Sequence, residues 1–314
     1  MGVDFETMTA PHRRELLAHC YRMSGSVHDA EDLLQETLLR AWRAFDGYDP
    51  DRASPRTWLY RIATNVCLTA LKGRARRPLP SGMVAPLDDP QAPMTHRAEV
   101  PWLQPFPADP AEVAAARGSL RLAFVAAMQL LPARQRAILI LRAVLDWPAA
   151  DVAEALGTTV TAVNSGLQRA RARLGESGLR EDDVDEPATA QERAIVDKYM
   201  TAFQAADLAA LRRLLVTDAI LEMPPVLNWY VGRDAYIRFI ARSYAMRGID
   251  WRALPIAANG QPAIAAYARA ADGVYRAHTL QVFAVDAGAI AHTVVFQDNS
   301  LFEAFNLPLS IAPE

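Results

Sequence analysis

Residues 151–174 read DVAEALGTTVTAVNSGLQRARARL, and this stretch decides the fold of the middle of the chain. DVAEAL is typical of a short helix that ends at Gly157, since glycine readily adopts the left-handed conformation found after a helix end. Thr158 and Thr159 follow, and either one can cap a second helix. That second helix has an apolar face at helical spacing, formed by Val163, Leu167, Ala170 and Leu174. The pattern predicts a helix-turn-helix.

The opposite face of the second helix is polar, and arginines crowd its end. Asn and Gln side chains can pair with adenine edges in the major groove, and Arg reaches guanine or phosphate. From the hairpin alone, a plain helical pair with a solvated arginine face is an equal alternative. A glycine inside this helix, Gly166, is expected to cost about 1 kcal/mol relative to alanine. The candidate DNA contacts are Thr161, Asn164, Gln168, Arg169 and Arg171.

Composition limits the function classes. The 314 residues carry a net charge of −3, so nucleic-acid binding must come from local basic patches. Cys20 and Cys67 lie in apolar helical patterns and are expected to be buried, reduced thiols. No metal site, cofactor or catalytic residue is predicted. The first residues lack an apolar signal core, and no apolar run reaches membrane-spanning length, so a cytoplasmic protein without membrane contact is expected.

Changes in composition and hydrophobic periodicity along the chain predict five segments and a multidomain fold. Residues 8–77 and 111–179 show helical patterns, and a proline-rich segment, residues 78–110, separates them. An acidic run at 180–189 forms a second linker. Residues 190–314 begin with helices and continue with alternating strands. We therefore expect two all-α domains, the second a helix-turn-helix, followed by an α+β domain.

The first helical region contains DAEDLLQETLLRAW at residues 29–42. Its predicted buried stripe is Ala30, Leu33, Leu34, Leu38, Ala41, Trp42 and Phe45. Asp32, Gln35 and Glu36 share a different face because they are three and four residues apart. From spacing alone, this second face is a solvated acidic surface, as most such faces are.

The next helix reads SPRTWLYRIATNVCLTALK at residues 54–72 and begins with proline at its first position. One face carries aromatic and basic residues, which suits single-stranded DNA because bases stack and phosphates are neutralised. A tryptophan in a small helical domain is more often part of the core, and the following KGRARR run is either a phosphate-binding patch or a basic helix end. The candidate residues are Trp58, Arg61, Asn65 and Lys72.

Together with LPARQRAILILR at residues 131–142, these motifs resemble the extracytoplasmic-function (ECF) sigma factors of bacterial RNA polymerase. The resemblance implies that the helix-turn-helix binds the promoter −35 element, and that the helix of residues 54–72 opens and reads the −10 element. Residues 49–54 would receive a flipped base. Asp32, Gln35 and Glu36 would contact the β′ clamp helices. The expected partners are therefore core polymerase, through its β′ clamp helices and β flap, and promoter DNA. The proline-rich segment would thread toward the active-site cleft.

The C-terminal region resembles a SnoaL-like domain of the NTF2-like superfamily, a cone-shaped fold with an internal pocket. EVPWLQPFPADP, at residues 99–110, supports the subgroup of large ECF factors that carry such a tail. We expect the tail to regulate in cis and to pack on the helical region or on the linker. A small-molecule ligand is a further candidate partner, and its pocket candidates are Trp229, Tyr230, Tyr275, His278 and His292. Two alternatives are a ligand-sensing one-component DNA-binding regulator and a pocket enzyme fused to helical domains.

Overall fold

The computed structural model describes residues 4–107, 120–176 and 189–313, and these belong to two compact units. The first unit contains the residues up to 77 together with 120–176, and the second contains 78–107 together with 189–313. Most of the predicted acidic linker, residues 180–188, lies outside the described residues. The same holds for residues 108–119, where the second helical domain was predicted to begin.

The first unit begins with α1 (Phe5–Thr9), α2 (Arg13–Ser24), α3 (Val27–Arg43) and α4 (Pro55–Ala70). Serine side chains fix the starts of the two long helices. The Ser26 hydroxyl accepts a hydrogen bond from Asp29 N at 3.2 Å, and the Ser54 hydroxyl accepts one from Thr57 N at 3.2 Å. Helices α2, α3 and α4 enclose an apolar core that includes Leu16, Cys20, Leu33, Leu59 and Cys67.

The two cysteines lie in that core and are free, as the sequence predicts. A hydrogen bond with the Cys20 thiol and burial both raise the pKa of the Cys67 thiol. The Cys67 thiol therefore stays protonated, and both buried cysteines pack as small apolar side chains between α2 and α4.

The same unit continues with α5 (Leu122–Gln129), α6 (Ala133–Leu139), α7 (Ala149–Ala155) and α8 (Val160–Glu176). A π-helical turn, Ile140–Val144, follows α6. The buried guanidinium of Arg136 in α6 joins these helices to the first group. It donates to the Met23 carbonyl at the end of α2, to the Met128 carbonyl at 2.9 Å and to Gln129 Oε1 at 2.7 Å. One arginine thus satisfies several buried carbonyls in the unit.

The second unit has a sheet of seven strands among the residues described. They are β1 (Leu215–Met223), β2 (Val226–Val231), β3 (Trp251–Ala258), β4 (Gln261–Arg269), β5 (Tyr275–Asp286), β6 (Ala289–Phe296) and β7 (Ser310–Ile311). The strand order is β2-β1-β6-β5-β4-β3, and β7 pairs with β5. The β1–β6 pair is parallel and the others are antiparallel.

Within the described part of this unit, four helices accompany the sheet: α9 (Ala190–Gln204), α10 (Leu208–Arg213), α11 (Arg233–Arg247) and α12 (Ser300–Ala304). Helices α9 and α11 pack on the sheet and supply Tyr199, Phe203, Tyr236 and Phe239 to the domain core. The Tyr236 hydroxyl lies 3.0 Å from the Tyr199 hydroxyl and donates to Thr293 Oγ1 at 2.9 Å. Burial raises the pKa of Tyr236 to about 12, so this buried network is uncharged at neutral pH.

The proline-rich segment, residues 78–107, packs on the C-terminal domain. Its backbone bonds to strand β2 and to the preceding Pro225: Leu87 N donates to the Trp229 carbonyl at 2.9 Å, and Arg97 N donates to the Pro225 carbonyl at 2.9 Å. Farther along, Phe106 exchanges two hydrogen bonds with Asn259, at 2.9 and 2.8 Å. Trp102, Leu103 and Phe106 are buried. The segment is therefore a docked strap, and we call residues 78–107 the linker strap.

Within residues 4–107, 120–176 and 189–313, no helix has the length and apolar character needed to cross a bilayer.

Candidate nucleic-acid interface and linker-covered cavity

The polar face predicted for the helix-turn-helix is exposed. Helix α7 is followed by Gly157 at a φ of +56°, and Thr159 Oγ1 accepts a hydrogen bond from Ala162 N at 3.2 Å where α8 begins. The buried face of α8 consists of Val163, Gly166, Leu167, Ala170 and Leu174. All five candidate DNA contacts are exposed on α8: Thr161, Asn164, Gln168, Arg169 and Arg171. The face is therefore open to a major groove, and the DNA contacts themselves stay predictions.

Gly166 has a packing reason that the sequence did not reveal. It is buried against α6, and a Cβ at this position would lie 2.6 Å from Ile138 Cδ1. That distance is far below van der Waals contact, so glycine lets α6 and α8 approach closely. The helix-propensity cost of glycine is offset here by apolar packing, and position 166 does not belong to the exposed face.

The predicted −10 face of α4 borders a cavity of about 510 Å³. Trp58 is half-buried, and its ring centroid lies 4.8 Å from that of Tyr48. The Tyr48 hydroxyl donates to the Ala53 carbonyl at 2.9 Å, which fixes the loop before α4. The cavity is lined by Gly47, Tyr48, Asp49, Arg52, Ala53, Trp58, Arg61, Ile62, Asn65 and Glu154. It has an aromatic wall, basic groups and a volume within the range of ligand pockets.

The helix-turn-helix closes one side of this cavity. Arg61 Nη1 lies 3.0 Å from Glu154 Oε1 on α7, and Asn65 Nδ2 donates to the Ala155 carbonyl at 3.4 Å. Arg61 and Glu154 are both well exposed, so their ion pair contributes little stability. Two candidate −10 residues are nevertheless engaged by the helix-turn-helix in this conformation.

The basic run after α4 is partly neutralised within its own domain. Arg77 Nη2 and Arg74 Nη1 lie 2.7 and 3.2 Å from Asp29 Oδ2, at the start of α3. Lys72, the fourth candidate −10 residue, is exposed just after α4. Arg74 and Arg77 of this run therefore form ion pairs with α3. The sequence did not predict this structural role.

The acidic face of α3 is accessible. Asp32 and Gln35 are exposed, and Glu36 Oε1 is paired with Arg40 Nε at 2.6 Å. Their contact with polymerase stays a prediction.

The predicted buried stripe of α3 is wrong at Trp42, which is 63% exposed. The packed line of α3 runs through Ala30, Leu33, Thr37 and Ala41. Because Trp42 is one residue, about 100°, beyond Ala41, it points away from the core. Leu39, three residues earlier, is 41% exposed. An apolar pair therefore stands beside the acidic face, which is a common composition for a binding surface.

The five residues predicted for the C-terminal pocket do not line any one of the described cavities together. His278 lines a cavity of about 90 Å³, whereas the other four are not among its lining residues. Trp229 donates to the Val84 carbonyl of the linker strap at 2.9 Å, and Tyr275 donates to Asp250 Oδ1 at 2.6 Å. His292 Nε2 lies 2.9 Å from Glu222 Oε1, without hydrogen-bond alignment, and Tyr230 packs on Phe239. Strand residues alternate between faces, so side chains on one strand need not share a pocket.

His278 is the polar centre of the cavity wall. Its ring centroid lies 5.3 Å from that of Trp251. Burial, and to a lesser degree the charge of Arg247, lowers the pKa of His278 to about 4. The imidazole is therefore neutral at physiological pH. Among the residues described, no cluster of His, Cys, Asp and Glu could hold a metal ion.

Comparison with known families assigns each part of the chain. The model of Sigma-70 region 2 matches residues 8–77, that of Sigma-70 region 4 matches residues 121–174, and that of the SnoaL-like domain matches residues 196–293. ECF RNA polymerase sigma factor SigG of Mycobacterium tuberculosis is 49% identical over 98% of this chain and 85% of its own length. The chain belongs to the ECF sigma factors.

Two further comparisons agree with the architecture. ECF sigma factor SigJ of Mycobacterium tuberculosis is 30% identical over 73% of this sigma factor and 69% of its own length. The crystal structure of SigJ matches with a TM-score of 0.65 over 95% of this chain and 98% of that one, at 22% identity. The fold of two helical sigma domains followed by an NTF2-like mixed sheet is thus the one that the sequence predicts.

Three features of the candidate sites in this sigma factor were not predicted from the sequence. Glu154 has no motif that marks it as a partner of Arg61. Met94 and His96 of the strap line the C-terminal cavity, and Gln281 lines it from β5. Alternation on β5 could have identified Gln281, since Thr279 and Gln281 repeat the period of a strand face inside an apolar segment.

Proposed function

We propose that this chain is an alternative sigma factor that binds core RNA polymerase in the cytoplasm and directs promoter-specific initiation. The observation that carries the proposal is the cavity on α4. Trp58, Arg61 and Asn65, chosen from the sequence as −10 contacts, line one cavity together with the loop before α4. An aromatic wall beside cationic and amide groups suits an unstacked base held in that cavity.

The surface for core polymerase is proposed to be the acidic face of α3, namely Asp32, Gln35 and Glu36, extended by Leu39 and Trp42. Apolar side chains that are exposed beside charges combine desolvation with electrostatic steering. The clamp helices of β′ are the expected partner by family, with the β flap as the partner of the helix-turn-helix domain.

Retention of core polymerase tests this surface. The double substitution Asp32→Lys and Glu36→Lys should strongly reduce co-purification of core polymerase with the full chain. A matched control reverses two exposed acidic residues of the C-terminal domain, Asp218→Lys and Asp286→Lys, and should retain the wild-type level. Wild-type retention by the folded α3 variant would reject the surface, and loss in both variants would reject a specific role for α3. A one-component regulator would not retain core polymerase at all.

We further propose that the C-terminal domain regulates the sigma factor in cis by holding the linker strap, and that it is not an enzyme. The support is the series of hydrogen bonds along residues 84–106. Arg242 alone donates to the Pro90 carbonyl at 2.7 Å and the Ala92 carbonyl at 2.6 Å. A strap that must thread toward the active-site cleft of polymerase cannot remain docked there, so docking and initiation compete.

Transcription by the full chain tests this competition. Arg242→Ala removes two strap contacts and should raise run-off transcription at equal protein concentration. Arg276→Ala is the control, because its ion pair with Asp272 lies in the β4–β5 turn. Unchanged or lower transcription for Arg242→Ala would contradict release of the strap as the activating step. Deletion of the tail is a poorer test, since it would expose Trp102, Leu103 and Phe106.

A further inference from the structure

A second cavity of the C-terminal domain, of about 460 Å³, lies where strand β2 ends and α11 begins. Arg212 and Thr217 line it from α10 and β1, and Arg233 and Arg238 line it from α11. Residues 86–88 of the linker strap supply a further wall. This cavity shares no lining residue with the one around His278, and its volume is within the range of small-molecule sites.

Three arginines line this cavity, and two of them have no carboxylate partner. Arg212 Nη1 forms an ion pair with Asp234 Oδ1, which neutralises that arginine. Among the residues described, neither Arg233 nor Arg238 forms an ion pair, and Arg238 Nη2 donates to the backbone carbonyl of Asp88 at 3.3 Å. The carboxylate of Asp88 is the one acidic group of the lining that remains beside them. The cavity therefore carries an excess of positive charge.

The two guanidinium groups without ion pairs define the head group of a ligand. A guanidinium offers N–H donors in a planar fork that matches the oxygens of a phosphoryl group. The Thr217 hydroxyl, in the same lining, can donate to a further oxygen. An anion with several oxygens therefore suits this set of donors better than a neutral molecule does.

The remaining walls limit the body of the ligand. Leu87 and Val231 line the cavity and are 38% and 43% exposed, so they leave apolar surface for a ring or a short aliphatic group. The carboxylates of Asp88 and Asp234 would repel a continuous row of phosphates. A single phosphoryl group on a small molecule therefore fits this lining better than a nucleic-acid backbone does.

We infer that this cavity binds a small phosphorylated molecule, whose phosphoryl oxygens accept hydrogen bonds from Arg233 and Arg238 and whose apolar body covers Leu87 and Val231. Because residues 86–88 form one wall, the ligand contacts both the strap and the domain. A ligand that needs both walls binds the docked form and stabilises it. That consequence for transcription rests on the strap-holding role proposed above, whereas the binding site itself does not.

Equilibrium dialysis of the full chain against 1-naphthyl phosphate tests the site, with 1-naphthol as the uncharged probe. Binding should be saturable and about tenfold or more tighter for the phosphate ester, and Arg233→Gln and Arg238→Gln should each weaken it about tenfold, the effect of one lost hydrogen bond between charged groups. Arg213→Gln removes the same charge from an exposed arginine of α10 outside the lining, and should bind like the wild type.

A short DNA duplex separates a small-molecule site from a nucleic-acid surface. Wild type and Arg238→Gln should bind the duplex equally, since the site takes one phosphoryl group. The inference is overturned if 1-naphthyl phosphate shows no saturable binding, or if Arg213→Gln weakens its binding as much as Arg238→Gln does. It is also overturned if Arg238→Gln weakens duplex binding by the same factor as binding of the ester.

Hydrogen–deuterium exchange tests the coupling to the strap. The Leu87 amide donates to the Trp229 carbonyl at 2.9 Å, and saturation with 1-naphthyl phosphate should slow its exchange while peptides from residues 4–77 stay unchanged. Faster or unchanged exchange at Leu87 would overturn the stabilisation of the docked form. The transcription test with Arg242→Ala uses no probe, so failure of the ligand site and failure of the strap-holding role are distinguishable.

Discussion

Arg61 Nη1 lies 3.0 Å from Glu154 Oε1, so a residue predicted to read the −10 element is paired with the first helix of the helix-turn-helix. The pair spans the two sigma domains and closes the α4 cavity. Glu154 places a carboxylate at the edge of that cavity, where it would repel the phosphates of a bound strand. We infer that the two domains separate at this contact when DNA binds.

Charge reversal at Glu154 is expected to favour the open form. Glu154→Lys places two cations together and removes a pair worth at most about 1 kcal/mol, so affinity for single-stranded −10 DNA should rise by no more than about fivefold. Asp151→Lys, on the same helix α7, makes the same change in net charge and serves as the control. Fluorescence anisotropy with a labelled non-template strand measures the effect, and equal affinities of the two variants would show that the Arg61–Glu154 pair does not hold the cavity closed to DNA.

The packing role of Gly166 gives a stability prediction. Gly166→Ala adds a methyl group 2.6 Å from Ile138 Cδ1, and overpacking of this kind costs about 1–3 kcal/mol. Ile138→Val removes that Cδ1 atom, so the double variant should recover most of the loss through the better helix propensity of alanine. Urea unfolding of the three variants provides the free energies. Additive losses in the double variant would show that the two positions do not share this contact.

Promoter selection is expected to depend on α8 in two different ways. Gln168→Ala should relax −35 preference by about 1–3 kcal/mol if its amide reads a base edge. Arg171→Ala should weaken all promoters alike and reduce the salt dependence of binding, as phosphate contacts do. Binding to a library of −35 variants at two salt concentrations separates these effects. Identical sequence profiles for wild type and Gln168→Ala would rule out direct readout by Gln168.

Stability of the first unit should fall in mild acid because of His19. The ring Nε2 lies 3.0 Å from Thr64 Oγ1, and burial, followed by the charge of Arg22, lowers the pKa of His19 to about 3. Between pH 6.5 and 3 the unfolded chain binds the proton and the folded chain does not, so stability decreases as pH falls. The slope is on the order of 1.4 kcal/mol per pH unit.

His19→Gln isolates this contribution from the carboxylates that titrate in the same window. Denaturant unfolding between pH 7 and pH 4 should show a smaller loss of stability for the variant than for the wild type. Equal losses would mean that His19 takes up its proton in the folded state.

The helical elements and their chemistry were predictable because local signals agree with the fold. Ser26, the Ser54–Pro55 start and Gly157 set the helix ends, and the buried face of α8 matches its apolar spacing. The prediction that Trp42 is buried was wrong because the apolar stripe of a helix can bury either of two neighbouring positions. Only the packing of α2 and α4 decides between them.

Contacts between residues far apart in the sequence were harder to predict. Asn259 and Gly260, with φ values of 57° and 70°, form the turn between β3 and β4, and an Asn-Gly pair between apolar segments is a strong hairpin signal. The docking of the strap depends on pairings between residues more than a hundred positions apart, such as Thr95 with Asn228. Periodicity reports the faces of single elements, so it predicted where polar side chains point but not which ones meet.

The central claim is that this chain directs promoter-specific initiation by core polymerase. The direct measurement is in vitro transcription of fragmented genomic DNA by core polymerase of Mycobacterium tuberculosis, with and without the purified full chain, followed by mapping of transcript 5′ ends. We expect new, discrete start sites with shared sequence blocks near −35 and −10, and we expect the Asp32→Lys, Glu36→Lys variant to lose them. Transcripts indistinguishable from those of core polymerase alone, for both wild type and Arg242→Ala, would contradict it.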